Sequence, residues 1–279
     1  MLTEHKILEG KMPTAWTEPA HRELDGEGFE ETRFRLVCDE VTGPLAAVSD
    51  KYALVPMRDV ISALDLAADA HSIELEPIEA SYKSGRGEYK FRAPGLAFQA
   101  PGDPSITQAT ISIGNDYRGM ANLSGMAGWF RWVCKNGLYA GTMAGQVKRR
   151  HVGTVDVYGL VGGLVAGLRD TFEVQRILAE TLARTHYVAP RLIPTVEEAK
   201  EQVKGSDAPT LIAQIMADTA ERYEQYFRTA VHENQREMGT NLWALAQAVS
   251  ETSTHRMPGF TADEWATRQL NRIRKHARS

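Results

Sequence analysis

The sequence predicts an α+β fold, with an antiparallel sheet core packed by a long helix and a helical C-terminal third. Short runs before residue 114 alternate apolar and polar residues, as half-buried strands do. After Gly153 the apolar residues recur at helical spacing, and helix-capping signals follow towards the C-terminus. The predicted order of the core is strand, helix, three strands, helix (β-α-β-β-β-α).

The predicted core elements lie between residues 31 and 190. A run at 34–38 alternates like a strand, and a short strand near Tyr52 precedes a helix over 57–70. Strands in a meander from about 73 to 113 are separated by turn signals at 84–87 and 101–104. The run 129–134 is short and rich in β-forming residues, and it is compatible with either a strand or a helix.

The helical signals divide the rest of the chain. A long helix is predicted from Val157 to Leu182, and Thr195 with Glu198 forms a capping box that begins a shorter one. Further helices are predicted up to the C-terminus. Residues 1–30 are acidic and glycine-containing, which predicts poor order. We therefore predict an N-terminal segment 1–30, an α+β core domain 31–190 and a helical region 191–279.

Composition predicts a soluble protein of the reducing cytoplasm. The first residues, Met1 to Lys11, carry charges and lack the apolar run of a signal peptide. No stretch reaches the roughly 20 apolar residues of a membrane span, so no membrane partner is expected. The two cysteines, Cys38 and Cys134, form no metal-binding CxxC pair. The spacing of the histidines and carboxylates indicates no metal site, and no motif indicates a cofactor.

Charge is distributed unevenly along the chain. The net charge is −4, yet the 39 residues from Tyr117 to Val155 contain six basic residues and no Asp or Glu. This window therefore carries +6 and the remainder −10, which indicates a local positive field. Aromatic residues lie in the same window, and aromatic side chains beside cations suit single-stranded nucleic acid. Trp129, Phe130 and Trp132 also fit buried core positions, which are the commoner role of such residues.

Two stretches carry a family resemblance. The first runs from Gly114 through Arg131-Trp132-Val133-Cys134-Lys135-Asn136-Gly137 to Arg150-His151. The second runs from Thr240-Asn241-Leu242-Trp243 to His255, where Ser253-Thr254 stand in place of an acidic residue that often precedes this histidine. Both resemble the domain-of-unknown-function 932 family of phage and plasmid proteins, which implies a bacterial host cell.

The element order has a looser similarity to the core of Red-beta and RecT-type phage annealing proteins. That similarity implies single-stranded DNA binding, strand annealing and a homo-oligomer, although a fold alone does not fix a function. We therefore expect a DNA-metabolism accessory protein with no catalytic residue. The residues predicted to contact nucleic acid are Arg118, Arg131, Lys135, Lys148, Arg149, Arg150, His151, Tyr117, Trp129 and Trp132.

The sequence is also compatible with two alternative functions. The chain also fits a protein-binding module of a mobile element that contacts host or phage proteins, for example as an inhibitor of a host defence complex. An enzyme whose site is assembled from distant residues is the other alternative. Cys134 and His151 could form a nucleophile and base, but a cysteine inside an apolar run usually serves packing.

Overall fold

A three-stranded antiparallel sheet forms the N-terminal part of the chain. The computed structural model describes all residues except 1, 3, 4, 25–27, 133–138, 188, 189, 191, 257, 258 and 279. The strands are β1 (Ala15–Leu24), β2 (Gly28–Asp39) and β3 (Gly43–Ser49), in the order β1-β2-β3. Thus β1 lies within the segment whose acidic composition predicts poor order. In its partner β2, Val37 and Cys38, which pair with Thr17 and Trp16 of β1, are buried.

A five-stranded antiparallel meander forms the second sheet. Its strands, in both chain and spatial order, are β4 (Glu76–Lys83), β5 (Arg86–Phe98), β6 (Thr107–Asp116), β7 (Leu123–Trp132) and β8 (Tyr139–Arg149). In β5 the side chains alternate between exposed and buried, with Tyr89, Phe91 and Ala93 in the core. The run left open between strand and helix is therefore strand up to Trp132. The strand predicted near Tyr52 is reduced to a single β-bridge, from Tyr52 to Val152.

The described part of the chain contains seven α-helices. They are α1 (Met57–Ala70), α2 (Val157–Arg184), α3 (Val196–Gly205), α4 (Leu211–Ala217), α5 (Glu224–Met238), α6 (Leu242–Arg256) and α7 (Gly259–His276). The α+β class, the long helix and the helical C-terminal part are as predicted. Within the described residues, no helix combines the length and the apolarity that crossing a bilayer requires.

Local signals explain where the helices begin and which faces they bury. Helix α1 buries Val60, Ile61 and Leu64 at helical spacing and carries Asp59 in its first turn, where a carboxylate interacts favourably with the helix dipole. The predicted capping box of α3 is present: the Thr195 side chain accepts from the Glu198 backbone N–H, and the Glu198 carboxylate accepts in return.

Helix α2 packs tightly against β7. A Cβ atom at Gly125 of β7 would lie 2.5 Å from Cδ1 of the buried Leu164. Only glycine permits this approach without displacing a core side chain.

The chain divides into two compact units. The first unit contains Met1–Leu96, Ala109–Gly128 and Met143–Thr171; the second contains Ala97–Gln108, Trp129–Thr142 and Phe172–Ser279. The three-part division at residues 30 and 190 stays a prediction.

Candidate nucleic-acid interface

Strand direction brings basic residues from distant parts of the sequence to one end of the meander. Neighbouring strands are antiparallel, so β4 ends where β5 begins, and β6 and β8 end beside the start of β7. Lys83 ends β4 and Arg86 begins β5, the β6–β7 loop carries Arg118, β8 ends in Lys148-Arg149, and Arg150 follows it. We call these residues, together with Lys51, the cationic end. All of them belong to the first unit.

Tyr52 connects three segments of this end. The Ala53 backbone N–H donates to the His151 carbonyl (3.0 Å), and the Gly153 N–H donates to the carbonyl of Lys51 (3.2 Å). The Tyr52 hydroxyl donates to the carbonyl of Tyr117 (2.8 Å). Lys51, the residues after β8 and the β6–β7 loop are therefore held side by side by hydrogen bonds.

Most cations of this end are free of carboxylates. Lys51, Lys83, Lys148, Arg149 and Arg150 are exposed, and among the described residues no carboxylate lies within 4.0 Å of their side-chain nitrogens. These five charges are therefore available to a polyanion. A sheet end five strands wide spans roughly 19 Å, at about 4.8 Å per strand.

Two arginines of the cationic end are paired. Arg86 forms an exposed ion pair with Glu88 (2.7 Å), and Arg118 Nη2 lies 2.7 Å from the Asp116 carboxylate. Burial opposes ionisation of Asp116, but hydrogen bonds from the Arg118 side chain and backbone outweigh it and lower the pKa of this carboxyl. The Arg118 side chain remains 30 % exposed.

Two predicted contact residues of the first unit lie below this surface. Tyr117 is buried, and its hydroxyl accepts the Met57 backbone N–H (2.8 Å). His151 is buried against the stacked Tyr52 ring, with Nδ1 3.2 Å from the Ala53 carbonyl. Burial lowers the pKa of His151, which favours the neutral imidazole. Both side chains support the cationic end from inside.

Arg131 has a different environment in the second unit. It is fully buried, and its Nε lies 2.8 Å from both carboxylate oxygens of Asp103. Trp243 Nε1 donates to the same carboxylate (2.8 Å), and Arg131 Nη2 lies 3.0 Å from Glu237. Trp129 is also buried in this unit, with its ring near Phe172. Arg131 and Trp129 are therefore interior residues. Neither side chain is exposed for the predicted contact with nucleic acid.

Some of the residues predicted to have a function lie outside the described part of the chain. Lys135 and Cys134 are not described, nor is the side chain of Trp132. The Cys134–His151 pair suggested for catalysis therefore stays untested. In the described portion of the chain, no three His, Cys, Asp or Glu side chains are close enough together to hold a metal ion.

The sequence pattern missed Lys51, Lys83 and Arg86. They lie outside the acid-free window, so counting charges along the chain does not find them. The signal that points to them is their position at strand ends, combined with an antiparallel meander, which places alternate turns at the same end of a sheet.

Comparison with known protein families identifies the family of this chain. The family model described as a domain of unknown function (DUF932) matches residues 44–278, most of the sequence. The chain belongs to the DUF932 family. No match was found among curated proteins or among solved structures, and the similarity to Red-beta-type annealing proteins is not confirmed.

The two stretches that carry the DUF932 resemblance meet in the structure. Arg131 of the first stretch and Trp243 of the second both bond to the carboxylate of Asp103. In this DUF932 protein, these residues therefore form one buried polar cluster in the second unit. Burial and these bonds give both side chains a structural role in this unit.

Proposed function

We propose that this DUF932 protein binds single-stranded DNA through the cationic end and promotes annealing of complementary strands as a homo-oligomer. The observation that supports the proposal is the convergence of seven basic side chains from four separate segments on one end of the meander. Five of them are exposed, with no carboxylate near them among the described residues. Such a surface neutralises phosphates and releases their counterions, which drives binding.

The arrangement of the cations favours a flexible strand. They lie on turns, at strand ends and in the segments next to them, so they are not arranged along one helix or ribbon of the kind that enters a duplex groove. A single strand can bend to place successive phosphates near cations at different heights. Annealing then follows if one assembly holds two such strands, because neutralised backbones repel each other less.

Fluorescence anisotropy with a labelled oligo(dT) tests the binding surface. The triple variant Lys148→Glu, Arg149→Glu, Arg150→Glu replaces three free cations, and we expect it to abolish binding. The control variant Lys200→Glu, Lys204→Glu, Arg236→Glu makes the same change of charge on exposed residues of α3 and α5. It should bind with nearly wild-type affinity. Equal loss in both variants would show only a dependence on net charge, and would contradict the proposed surface.

Annealing and assembly need separate measurements. Two complementary oligonucleotides labelled with a donor and an acceptor dye should pair faster in the presence of the wild-type protein than with the triple variant. Light scattering coupled to size exclusion should give a mass above that of one chain. An absence of binding to any oligonucleotide at low salt would reject the nucleic-acid function, leaving an acidic protein partner as the alternative that uses the same surface.

A further inference from the structure

Two exposed apolar side chains adjoin Tyr52 at the cationic end. Met120, in the β6–β7 loop, is 78 % exposed, and Val152, after β8, is 52 % exposed. A Cβ atom at Gly119 would lie 3.2 Å from the Tyr52 ring, and Val152 forms a β-bridge with Tyr52. Met120 and Val152 are therefore attached to backbone on either side of Tyr52. We call Tyr52, Met120 and Val152 the apolar patch.

Cations flank the residues of this patch in the sequence. Arg118 lies two residues before Met120, Arg150 two residues before Val152, and Lys51 directly before Tyr52. Single exposed apolar residues are common on protein surfaces, but Met120 and Val152 both adjoin one half-buried tyrosine, and each lies two residues from a cation. The pattern combines positive charge for phosphates with apolar contact area.

Unpaired nucleobases have the chemistry that fits this combination. A base presents a flat, polarisable face, and the thioether of a methionine makes favourable contacts with aromatic rings. In a duplex these faces are stacked on neighbouring base pairs and are inaccessible from outside. In a single strand they are free, and contact with apolar or aromatic side chains contributes to binding in a sequence-tolerant way.

We propose that Met120, Val152 and the exposed part of Tyr52 contact unpaired bases of a strand whose phosphates are held by the surrounding cations. This inference rests on the proposed DNA-binding function and adds the basis of its preference for single strands. Base contact at the patch supplies that preference, while the cations supply the affinity common to all polyanions.

Binding to oligo(dT) compared with an abasic sugar-phosphate strand of equal length measures the base contact directly. The wild-type protein should bind oligo(dT) about tenfold more tightly, the effect of one well-stacked base. The double variant Met120→Gln, Val152→Thr keeps side-chain size and β-branching while adding polar groups. It should bind the two strands equally, with unchanged affinity for the abasic strand.

A matched control uses exposed apolar residues elsewhere. Val174 and Ile177 on α2 are 63 % and 54 % exposed. The variant Val174→Thr, Ile177→Gln should keep the wild-type ratio of affinities. All substituted positions are exposed, so unfolding midpoints should stay close to that of the wild type.

The outcomes separate this inference from the function on which it rests. If the wild-type protein binds oligo(dT) and the abasic strand with equal affinity, the base contact is overturned and the phosphate-binding surface is unaffected. The same conclusion follows if the double variant keeps the wild-type ratio of these two affinities. No binding to either strand at low salt would reject the DNA-binding function itself. Photocrosslinking with 5-iodouracil in the strand adds a positional readout: the inference predicts adducts at Tyr52 or Met120, and adducts only elsewhere would contradict it.

Discussion

Arg131 and the Lys148–Arg150 run come from the same acid-free window, but the fold places them in opposite environments. In the second unit, Arg131 is buried and paired with Asp103, a residue 28 positions earlier in the chain. In the first unit, Lys148 and Arg149 at the end of β8 and the adjoining Arg150 are exposed and have no carboxylate near them among the described residues. The difference shows that a local lack of acids does not predict a free cation, because strand pairing brings carboxylates from elsewhere.

We expect the largest effect on stability from removal of the buried carboxylate. Asp103→Leu leaves the Arg131 guanidinium buried without its main partner, and we expect a loss of about 3–5 kcal/mol in the free energy of unfolding. Urea denaturation followed by circular dichroism measures the change. Alanine in place of the exposed Lys148 should change the same quantity by less than about 0.5 kcal/mol.

A second substitution shows whether the loss comes from the unpaired charge. Adding Arg131→Met to Asp103→Leu removes the charge and keeps an apolar side chain of similar length, so most of the lost stability should return. If the double variant is as unstable as Asp103→Leu alone, the ion pair is not the cause.

A smaller effect is expected at Trp243, which bonds to the same carboxylate. Trp243→Phe keeps an aromatic ring but removes the indole N–H that donates to Asp103. Loss of a hydrogen bond to a charged group costs about 1.5–3 kcal/mol, measured again by urea denaturation. Its effect should be non-additive with Asp103→Leu, because the two residues share one interaction. Strictly additive losses would argue that Trp243 acts through packing alone.

The buried His151 gives the first unit a pH dependence of its own. Burial lowers its pKa, so between that value and the ordinary pKa near 6.5 the unfolded chain binds more protons than the folded one. Stability should therefore fall as the pH falls below about 6.5, by at most about 1.4 kcal/mol per pH unit. His151→Gln should remove this part of the slope in unfolding experiments between pH 7 and pH 5. The exposed His232, replaced in the same way, serves as the control.

The sequence predicts the local elements better than it predicts the site. Helix α1 has the predicted bounds, and the capping box at Thr195 is present, because such signals depend on residues within one or two turns. The sequence predicts no strand at β8, because its residues lack the alternation of apolar and polar side chains that is typical of a strand. The pairing of Arg131 and the presence of Lys83 at the cationic end depend on strand register, a long-range property that composition does not contain.

The salt dependence of DNA binding is the sharpest test of the cationic end, because it depends on residues that only the fold brings together. Lys51, Lys83 and Lys148 are separated in sequence but share the cationic end. Replacing all three by alanine should reduce the slope of log affinity against log salt by roughly 2, at about 0.7 per lost phosphate contact on a single strand. A slope equal to that of the wild type would show that the strand binds elsewhere, and would contradict DNA binding at the cationic end.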